Sequence, residues 1–343
     1  MSTIADVARE ASVSISTVSR VMNDKHTGDP EVRERVVKAA EGLQYHPSSA
    51  ARALAGRVVG AGMSMSFIMR SFVRLGTYYG DILHGAEEEA RRRGFQLYFS
   101  TAYHNMGVMA SHSIPKGISG EEVKGIIYGG DMPEDFLNEV KRAGLTAIHI
   151  NSHPDEPVNS VMCDNLPASH RAVTHLIEKG HRRIGCIAHR PGTRSTAERL
   201  AGYRLALVDA GIEVDQDLVA RGGLEPEDGR TAMEQLLKLM DRPTAIFGVV
   251  DEVAIGAMQL AKEKGLKVPD DMSFVGVNDL PMSTVCDPPL TTVRILRGDM
   301  GKAAVQRLFE VVRNPNDPPR RIDVLCEFVE RGSVAVRKVP DQA

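Results

Sequence analysis

The sequence has little of what marks an exported, membrane-bound or metal-stapled chain. Its 343 residues include four cysteines, Cys163, Cys186, Cys286 and Cys326, with no C-x-x-C spacing among them. That argues against a disulfide framework or a zinc knuckle and suits a reducing cytoplasm. Cys163 and Cys186 stand in apolar surroundings and read as small buried hydrophobes. No apolar run approaches the length of a membrane-spanning helix, and the first residues lack the apolar core of a secretion signal, so a cytoplasmic location without membrane contact is expected. Neither sign of charge dominates: the formal net charge is −3, and residues 1–57 set eight basic side chains against seven acidic ones. A nucleic-acid surface there would have to be made by segregating charges onto one face.

Signatures of common enzymes are missing as well. Gly60-Ala61-Gly62 meets Met65 where a dinucleotide fingerprint needs another glycine. Gly117-Ile118-Ser119-Gly120 has the wrong spacing for a nucleophile elbow, and neither a Walker loop nor H-E-x-x-H occurs. The closest histidine pairs, His149 with His153 and His170 with His175, lack helical i,i+4 spacing combined with a third ligand. No catalytic residue, cofactor or metal is therefore nominated.

What is present begins at Thr3. In Thr3–Asn23, Ile4, Val7, Ala8 and Ala11 recur at i, i+3, i+4 and i+7, one apolar helical face, and Thr3 with Asp6 makes a capping-box start. Ser12-Val13-Ser14 interrupts that pattern, and Ser14 is a natural N-cap for a second helix. On it Val18, Val21 and Met22 point one way, and Ile15, Ser16, Ser19 and Arg20 the other. The second face holds an exposed isoleucine, hydroxyls and one arginine, with no carboxylate. Such a face can enter a major groove, where isoleucine meets a thymine methyl, arginine forks onto guanine and hydroxyls hold phosphates. Free N–H groups at Ser14 to Thr17 would add an anion site. Periodicity alone equally allows a plain amphipathic hairpin with a polar surface.

The string D-V-A-R-E-A-S-V-S-I-S-T-V-S-R-V-M-N, residues 6–23, resembles the N-terminal signature of the lac/gal repressor family. Asp6, Val7, Ala8, Ala11, Val13, Ser14, Thr17, Val18, Ser19, Arg20, Val21 and Asn23 fall on family positions without a gap. Ser12 replaces the usual turn glycine, so a strained turn is expected there. The resemblance implies that Ser14, Ile15, Ser16, Thr17, Ser19, Arg20 and Asn23 meet double-stranded DNA. Asp29-Pro30 caps a third helix with inner stripe Val32, Val36, Ala39, Ala40 and Leu43. Arg33 and Arg35 lie off that stripe, in reach of phosphates or simply solvated. After Tyr45-His46-Pro47, the segment Ser48–Ala55 is helix-capable but too short to hold in water alone. It resembles the family's hinge, with Leu54 at the position of a minor-groove wedge. As a plain linker, the same leucine would pack onto the next domain.

From Val58 on, helices close five times on a glycine (Gly94, Gly144, Gly180, Gly211 and Gly265) and an apolar strand soon follows. Runs at 125–128, 147–150, 184–188, 245–250 and 274–277 are apolar throughout, as buried parallel strands are. This is a doubly wound α/β pattern. G-H-R-R-I at 180–184, A-E-R-L-A-G-Y-R at 197–204, V-P-D-D-M-S-F-V-G-V-N-D at 268–279 and P-P-L-T-T-V-R at 288–294 resemble family landmarks. They imply a periplasmic-binding-protein-like core of two lobes joined by three chain passages, near Val161, Leu290–Ile295 and Asn314–Arg321. The expected organisation is a helix-turn-helix headpiece at 1–46, a hinge at 47–57 and an effector-binding, dimerising core at 58–343. Within the core, lobe one takes about 58–160 and 291–318, and lobe two about 161–290 and 319–343. Two stretches depart from the family: 63–77 runs long between a first strand and its helix, and 104–120 is glycine-interrupted where a helix is usual.

Ligands of doubly wound sheets bind past the carboxyl ends of the strands. Reading there nominates Thr101, Asn151, His189, Asp251 and Asn278, with Arg199 and the pair Tyr78 and Tyr79. Carboxylate, carboxamide and guanidinium groups suit a polyhydroxylated ligand, with an aromatic face to cover its apolar side. By resemblance Asn151, Arg199, Asp251 and Asn278 touch the effector, although each alone would also serve as a cap or lining. Val250 stands where the family commonly has an asparagine. The expectation is a ligand-responsive, homodimeric repressor whose effector is a sugar or sugar derivative. The alternatives are a sugar- or nucleoside-binding protein without a DNA role, and an enzyme on a binding-protein scaffold. After Arg331 no heptad remains to make a coiled coil. If Leu54 is a wedge, Leu54→Ala weakens specific operator binding more than binding to random DNA, which titrations against both measure; equal losses would leave Leu54 a linker residue.

Overall fold

The computed structural model describes residues 3–22, 29–43, 64–70, 77–102, 123–130, 134–152, 157–189 and 193–337. The first three helices are α1 (Ile4–Glu10), α2 (Ile15–Met22) and α3 (Pro30–Gly42). The expected capping box opens α1: Thr3 N donates to Asp6 Oδ2 at 2.9 Å and Asp6 N to Thr3 Oγ1 at 3.3 Å. Asp29 Oδ1 accepts from Glu31 N at 2.9 Å and so caps α3. Val7, Val18 and Val36, one from each helix, are fully buried against one another's neighbours. Each contributes about 1.5–3 kcal/mol of burial, the main stabilisation available to a unit this small.

The larger part is built on two six-stranded sheets. The first holds β1 (Ser64–Arg70), β2 (Gln96–Ala102), β3 (Val123–Gly129), β4 (Thr146–Ile150), β5 (Ser160–Cys163) and β11 (Arg321–Val324), in the order β11-β5-β4-β3-β1-β2. The second holds β6 (Ile184–His189), β7 (Val219–Gly222), β8 (Ala245–Gly248), β9 (Ser273–Asn278), β10 (Thr291–Ile295) and β12 (Cys326–Val329), in the order β12-β10-β9-β8-β6-β7. The pattern is the same in both, and every pairing is parallel except β10 with β12. Strand order reverses between β1 and β3 and between β6 and β8, so each sheet opens a crevice at those carboxyl ends.

Alternate residues of each strand face different helices, as the pleat requires. In the first sheet Phe67, Ile127, Ile148 and Ile150 share a core with α4 (Thr77–Arg92) and α11 (Arg297–Arg313), while Ile68, Ile126 and Tyr128 pack with Phe136 and Val140 of α5 (Glu134–Arg142). In the second, Cys186, Phe247 and Val275 pack with α6 (Asn165–Glu178) and α7 (Arg194–Asp209). Ile187, Ile246 and Phe274 face α8 (Pro226–Leu237) and α9 (Asp251–Glu263). A one-turn helix, α10 (Met282–Val285), follows β9. The five helix-closing glycines take φ between +65° and +91°, the left-handed stop that their position in the sequence predicts.

The chain passes between the sheets at Asp164, Leu296 and Leu325. The first and third passages are joined: Asp164 N donates to Val324 O at 3.2 Å and Cys326 N to Asp164 Oδ1 at 2.8 Å. Two expected passages shift. Thr291–Ile295 pairs with β9, so the second passage lies just beyond it rather than within 290–295. Residues 314–321 stay with the first sheet because buried Arg307 of α11 ties them there. Its Nε donates to Asn159 Oδ1 at 2.7 Å, its Nη2 to Pro318 O at 2.7 Å, and it pairs with Asp317. The third passage therefore falls at Leu325. A further correction concerns 63–77, read as a long loop: Ser64–Arg70 of it is β1 itself. Its alternating serines and methionines disguise a strand whose Ser66, Phe67 and Ile68 are buried.

Helices α4 and α11 touch backbone to backbone. A Cβ on Gly301 would sit 2.0 Å from Ile82 O, and one on Gly85 would sit 2.0 Å from Gly298 O. Gly301→Ala must push the helices apart, costing roughly 1–3 kcal/mol in denaturant titrations. Gly298→Ala, on the same helix with open space for its methyl, should cost far less.

Candidate functional site

Two places gather the polar side chains nominated above. In the headpiece, Ser12 takes φ +50° in the α1–α2 turn, the strained conformation expected where serine replaces glycine. Val13 N donates to Ala8 O at 3.0 Å, closing the turn and setting α2 against α1. Ser14 caps α2: its Oγ accepts from Thr17 N at 3.1 Å and lies 2.8 Å from both Ser16 Oγ and Thr17 Oγ1. Val18 and Val21 are buried on one side, while Ile15, Ser16 and Arg20 are exposed on the other and Thr17 and Ser19 are half-buried at its edge. Among the described residues Arg20 has no ion pair. Neighbouring charges are spent locally, Asp6 on Arg9 at 3.0 Å and Glu34 on Lys38 at 2.7 Å. Arg33 is exposed on α3. Asn23 and Leu54 lie outside the described residues.

The second place is the crevice between the lobes. Asn151, just past β4, and Asn278, at the end of β9, take φ +57° and +126° and are 9% and 5% exposed. Backbone strain of this kind is kept where the surroundings enforce it. Asn151 Nδ2 donates to Tyr78 Oη at 2.9 Å, and the Oδ1 atoms of both asparagines are buried with no hydrogen-bond partner among the described residues. Burial raises the Tyr78 phenol well above its ordinary value, so it stays neutral. Tyr79 meets Tyr78 edge-on at 5.2 Å and lies over Gly129, where a Cβ would stand 2.7 Å from its ring. Thr101 is placed at the carboxyl end of edge strand β2.

Arg199, on α7, is buried beneath the second lobe's strand ends. Its Nε donates to Asn165 Oδ1 at 2.9 Å and its Nη1 to Val249 O at 2.8 Å, leaving Nη2 as its one nitrogen without a described partner. His189 Nδ1 is 3.2 Å from Gly222 O and serves the sheet edge.

Asp251 corrects the sequence expectation. It is fully buried with both oxygens committed: Oδ2 accepts from Leu280 N at 2.8 Å and Ser283 Oγ at 2.7 Å, and Oδ1 from Thr292 Oγ1 at 2.5 Å. Burial raises its carboxyl and those three bonds oppose the shift. Fully buried and turned onto three protein donors, Asp251 organises the site from behind.

Two residues missed in the sequence reading belong to the crevice. Arg297, the first residue of α11, donates through Nε to Asp81 Oδ2 at 2.9 Å on the first lobe and through Nη1 to Asn278 O on the second, 5.9 Å from the Tyr78 ring centroid. Glu252, next to Asp251, has a buried Oε2 with no partner among the described residues. Its place right after β8 was a signal, overshadowed by its neighbour. Among the described residues no cluster of three histidine, cysteine or carboxylate side chains is arranged to hold a metal ion.

A short helix pair with an exposed reading face, followed by two lobes that leave polar atoms unpaired between them, defines a ligand-responsive DNA-binding regulator. Residues 3–48 match the bacterial regulatory proteins of the lacI family, and residues 173–334 match a periplasmic binding protein-like domain. The HTH-type transcriptional repressor PurR of Mannheimia succiniciproducens is 31% identical over 338 residues, 97% of this chain and 99% of that protein. Among solved structures, the lac repressor dimer bound to operator and the anti-inducer ONPF aligns with a TM-score of 0.78 and 26% identity, covering 97% of this chain and 99% of that one. The regulator CelR in complex with cellobiose aligns with a TM-score of 0.70 and 27% identity, covering 97% and 100%. The chain belongs to the lacI family of transcriptional repressors.

Asp251→Ala would strand three buried donors and should cost at least about 3 kcal/mol of stability in urea unfolding. Asp251→Asn, which keeps an acceptor, should cost less; equal and small losses in both would show the three bonds to be dispensable.

Proposed function

We propose that the chain acts in the cytoplasm as a homodimeric repressor on a near-palindromic operator, and that a sugar or sugar derivative held between the lobes sets its operator affinity. The observation that carries the DNA reading is the outer face of α2, where Ile15 is 51% exposed beside Arg20, which has no ion pair among the described residues, while the opposite face is buried. An exposed isoleucine costs solvation unless an apolar partner such as a thymine methyl covers it. Arg20 then reads a guanine edge. The hydroxyls of Ser14, Ser16, Thr17 and Ser19 and the first N–H groups of α2 take phosphates, assisted by Arg33. Asn23 and Leu54 complete the contact in this reading. Two headpieces on half-sites about one helical turn apart make up for the weak charge of each one; the lac repressor neighbour is a dimer bound to operator.

The effector reading rests on Asn151 and Asn278, whose Oδ1 atoms have no partner among the described residues, beside the Tyr78 and Tyr79 rings, with the Arg199 guanidinium beneath and Thr101 at the edge. Amide and guanidinium groups next to aromatic faces suit a polyhydroxylated ring. The CelR neighbour carries cellobiose. A ligand seated there presses on Tyr78 and Asn278, and Arg297 touches both while bridging the lobes. Occupancy is thereby coupled to the angle between the lobes, with a coupling energy of about 1–3 kcal/mol expected for such systems.

The test is a mobility-shift titration with the DNA upstream of the protein's own gene. Arg20→Ala should cost about 1–3 kcal/mol, concentrated at one operator base pair. An equal loss on every sequence reduces Arg20 to a phosphate contact, and no shift with the unaltered protein turns the reading towards a binding protein without a DNA role.

A further inference from the structure

Three buried acceptor atoms at the crevice have no partner among the described residues: Asn151 Oδ1, Asn278 Oδ1 and Glu252 Oε2. An amide can turn and offer either end to a ligand. A carboxylate cannot, so Glu252 alone commits the crevice to one kind of ligand atom. Leaving a carboxylate oxygen dry and unbonded is costly, and no described residue repairs it. Its own backbone N–H at the start of α9 favours the charged form of the carboxylate. The charged groups facing Glu252 are Asp251 on its own helix, Glu225 at the start of α8 and Arg199 on α7.

The other charges around the crevice, Glu225 apart, are already matched. Arg297 is spent on Asp81, Arg294 and Arg331 on the two oxygens of Asp279, and Asp251 on its three donors. Arg199 has given two of its three nitrogens to Asn165 and Val249. Among the described residues, the crevice therefore presents one bare carboxylate and only a fraction of one guanidinium. A phosphate group brought there would meet repulsion without a full cation to offset it. A hydroxyl or amino donor would meet an acceptor already stripped of water.

We propose that Glu252 sets the chemical class of the effector: its carboxylate receives a hydroxyl or amino donor of an unphosphorylated sugar derivative. The inference rests on the carbohydrate reading above and adds a residue and a sign of charge to it. It also carries a pH signature. With the crevice empty, burial pushes the Glu252 carboxyl up to about 6, aided by Asp251 and Glu225 and opposed by its own N–H and Arg199. A donor favours the ionised form. Affinity is therefore full above about pH 6 and falls as the pH drops through that value.

The test is calorimetric titration of the full-length chain with glucose, ribose and glucosamine, and with glucose 6-phosphate, ribose 5-phosphate and glucosamine 6-phosphate, at about pH 7.5 and about pH 5. At least one unphosphorylated sugar should bind, and its phosphate should bind about tenfold more weakly or worse. Preference for glucosamine identifies an amino donor, and preference for glucose or ribose a hydroxyl. E252A should lose about tenfold in affinity, and E252Q, which keeps one acceptor oxygen, should lose less while its affinity no longer changes with pH. The pH profile of the unaltered protein decides the matter even if both variants fold poorly. A sugar that binds with no dependence on pH or on Glu252, or whose phosphate binds as tightly, overturns the inference and leaves the carbohydrate reading standing. Silence with all six compounds removes the carbohydrate reading, and this inference with it.

Discussion

The crevice is organised by a fully buried carboxylate. Asp251 holds Leu280 N and Ser283 Oγ on one oxygen and Thr292 Oγ1 on the other. It thereby fixes the segment after β9 and the strand β10 to the start of α9. Close packing leaves no slack: a Cβ on Gly276 would stand 2.3 Å from Asp251 Oδ1. From that anchor the rest is placed in turn. Asn278 and Asp279 are held at positive φ, Asp279 takes Arg294 and Arg331, and β10 delivers Arg297 to Asp81 across the lobes. A buried carboxylate with three donors is a preorganised framework, and its desolvation is repaid only because all three are present.

Headpiece and crevice leave different things unfinished. In the headpiece the oppositely charged neighbours pair along the surface, so an apolar side chain and a guanidinium without an ion pair among the described residues stand out on α2. In the crevice the charges pair internally, and the unfinished atoms are acceptors. One surface therefore seeks acceptors and methyl groups, as the edges of DNA bases offer. The other seeks donors, as hydroxylated rings offer.

Much of this was legible in the chain, and the failures share a cause. The capping box, the Ser14 cap, the inner and outer faces of α2 and the five helix-closing glycines are local signals, and each appears at its predicted residue. The doubly wound pattern was readable for the same reason. What went astray depends on partners far away in sequence. The strand 291–295 looks alike whichever sheet it joins, and its neighbour β9 decides. Asp251 was rightly placed beside the crevice, but its oxygens are consumed by residues 29 to 41 positions downstream. Arg297 became a bridge through Asp81, 216 residues upstream. Glu252 shows the converse: its importance lies in the contact it lacks, which no pattern of residues displays.

The three one-residue passages carry a mechanical consequence. Asp164 is stitched to the residues on either side of Leu325 by one backbone and one side-chain hydrogen bond, and Leu296 leads at once into Arg297, itself pinned on both sides. Such short tethers forbid the lobes to glide over one another but leave twist about the bonds that join them. Within the first lobe the glycine-to-backbone contact of α4 with α11 resists deformation. What a bound molecule can select is then an angle, transmitted whole through a stiff first lobe.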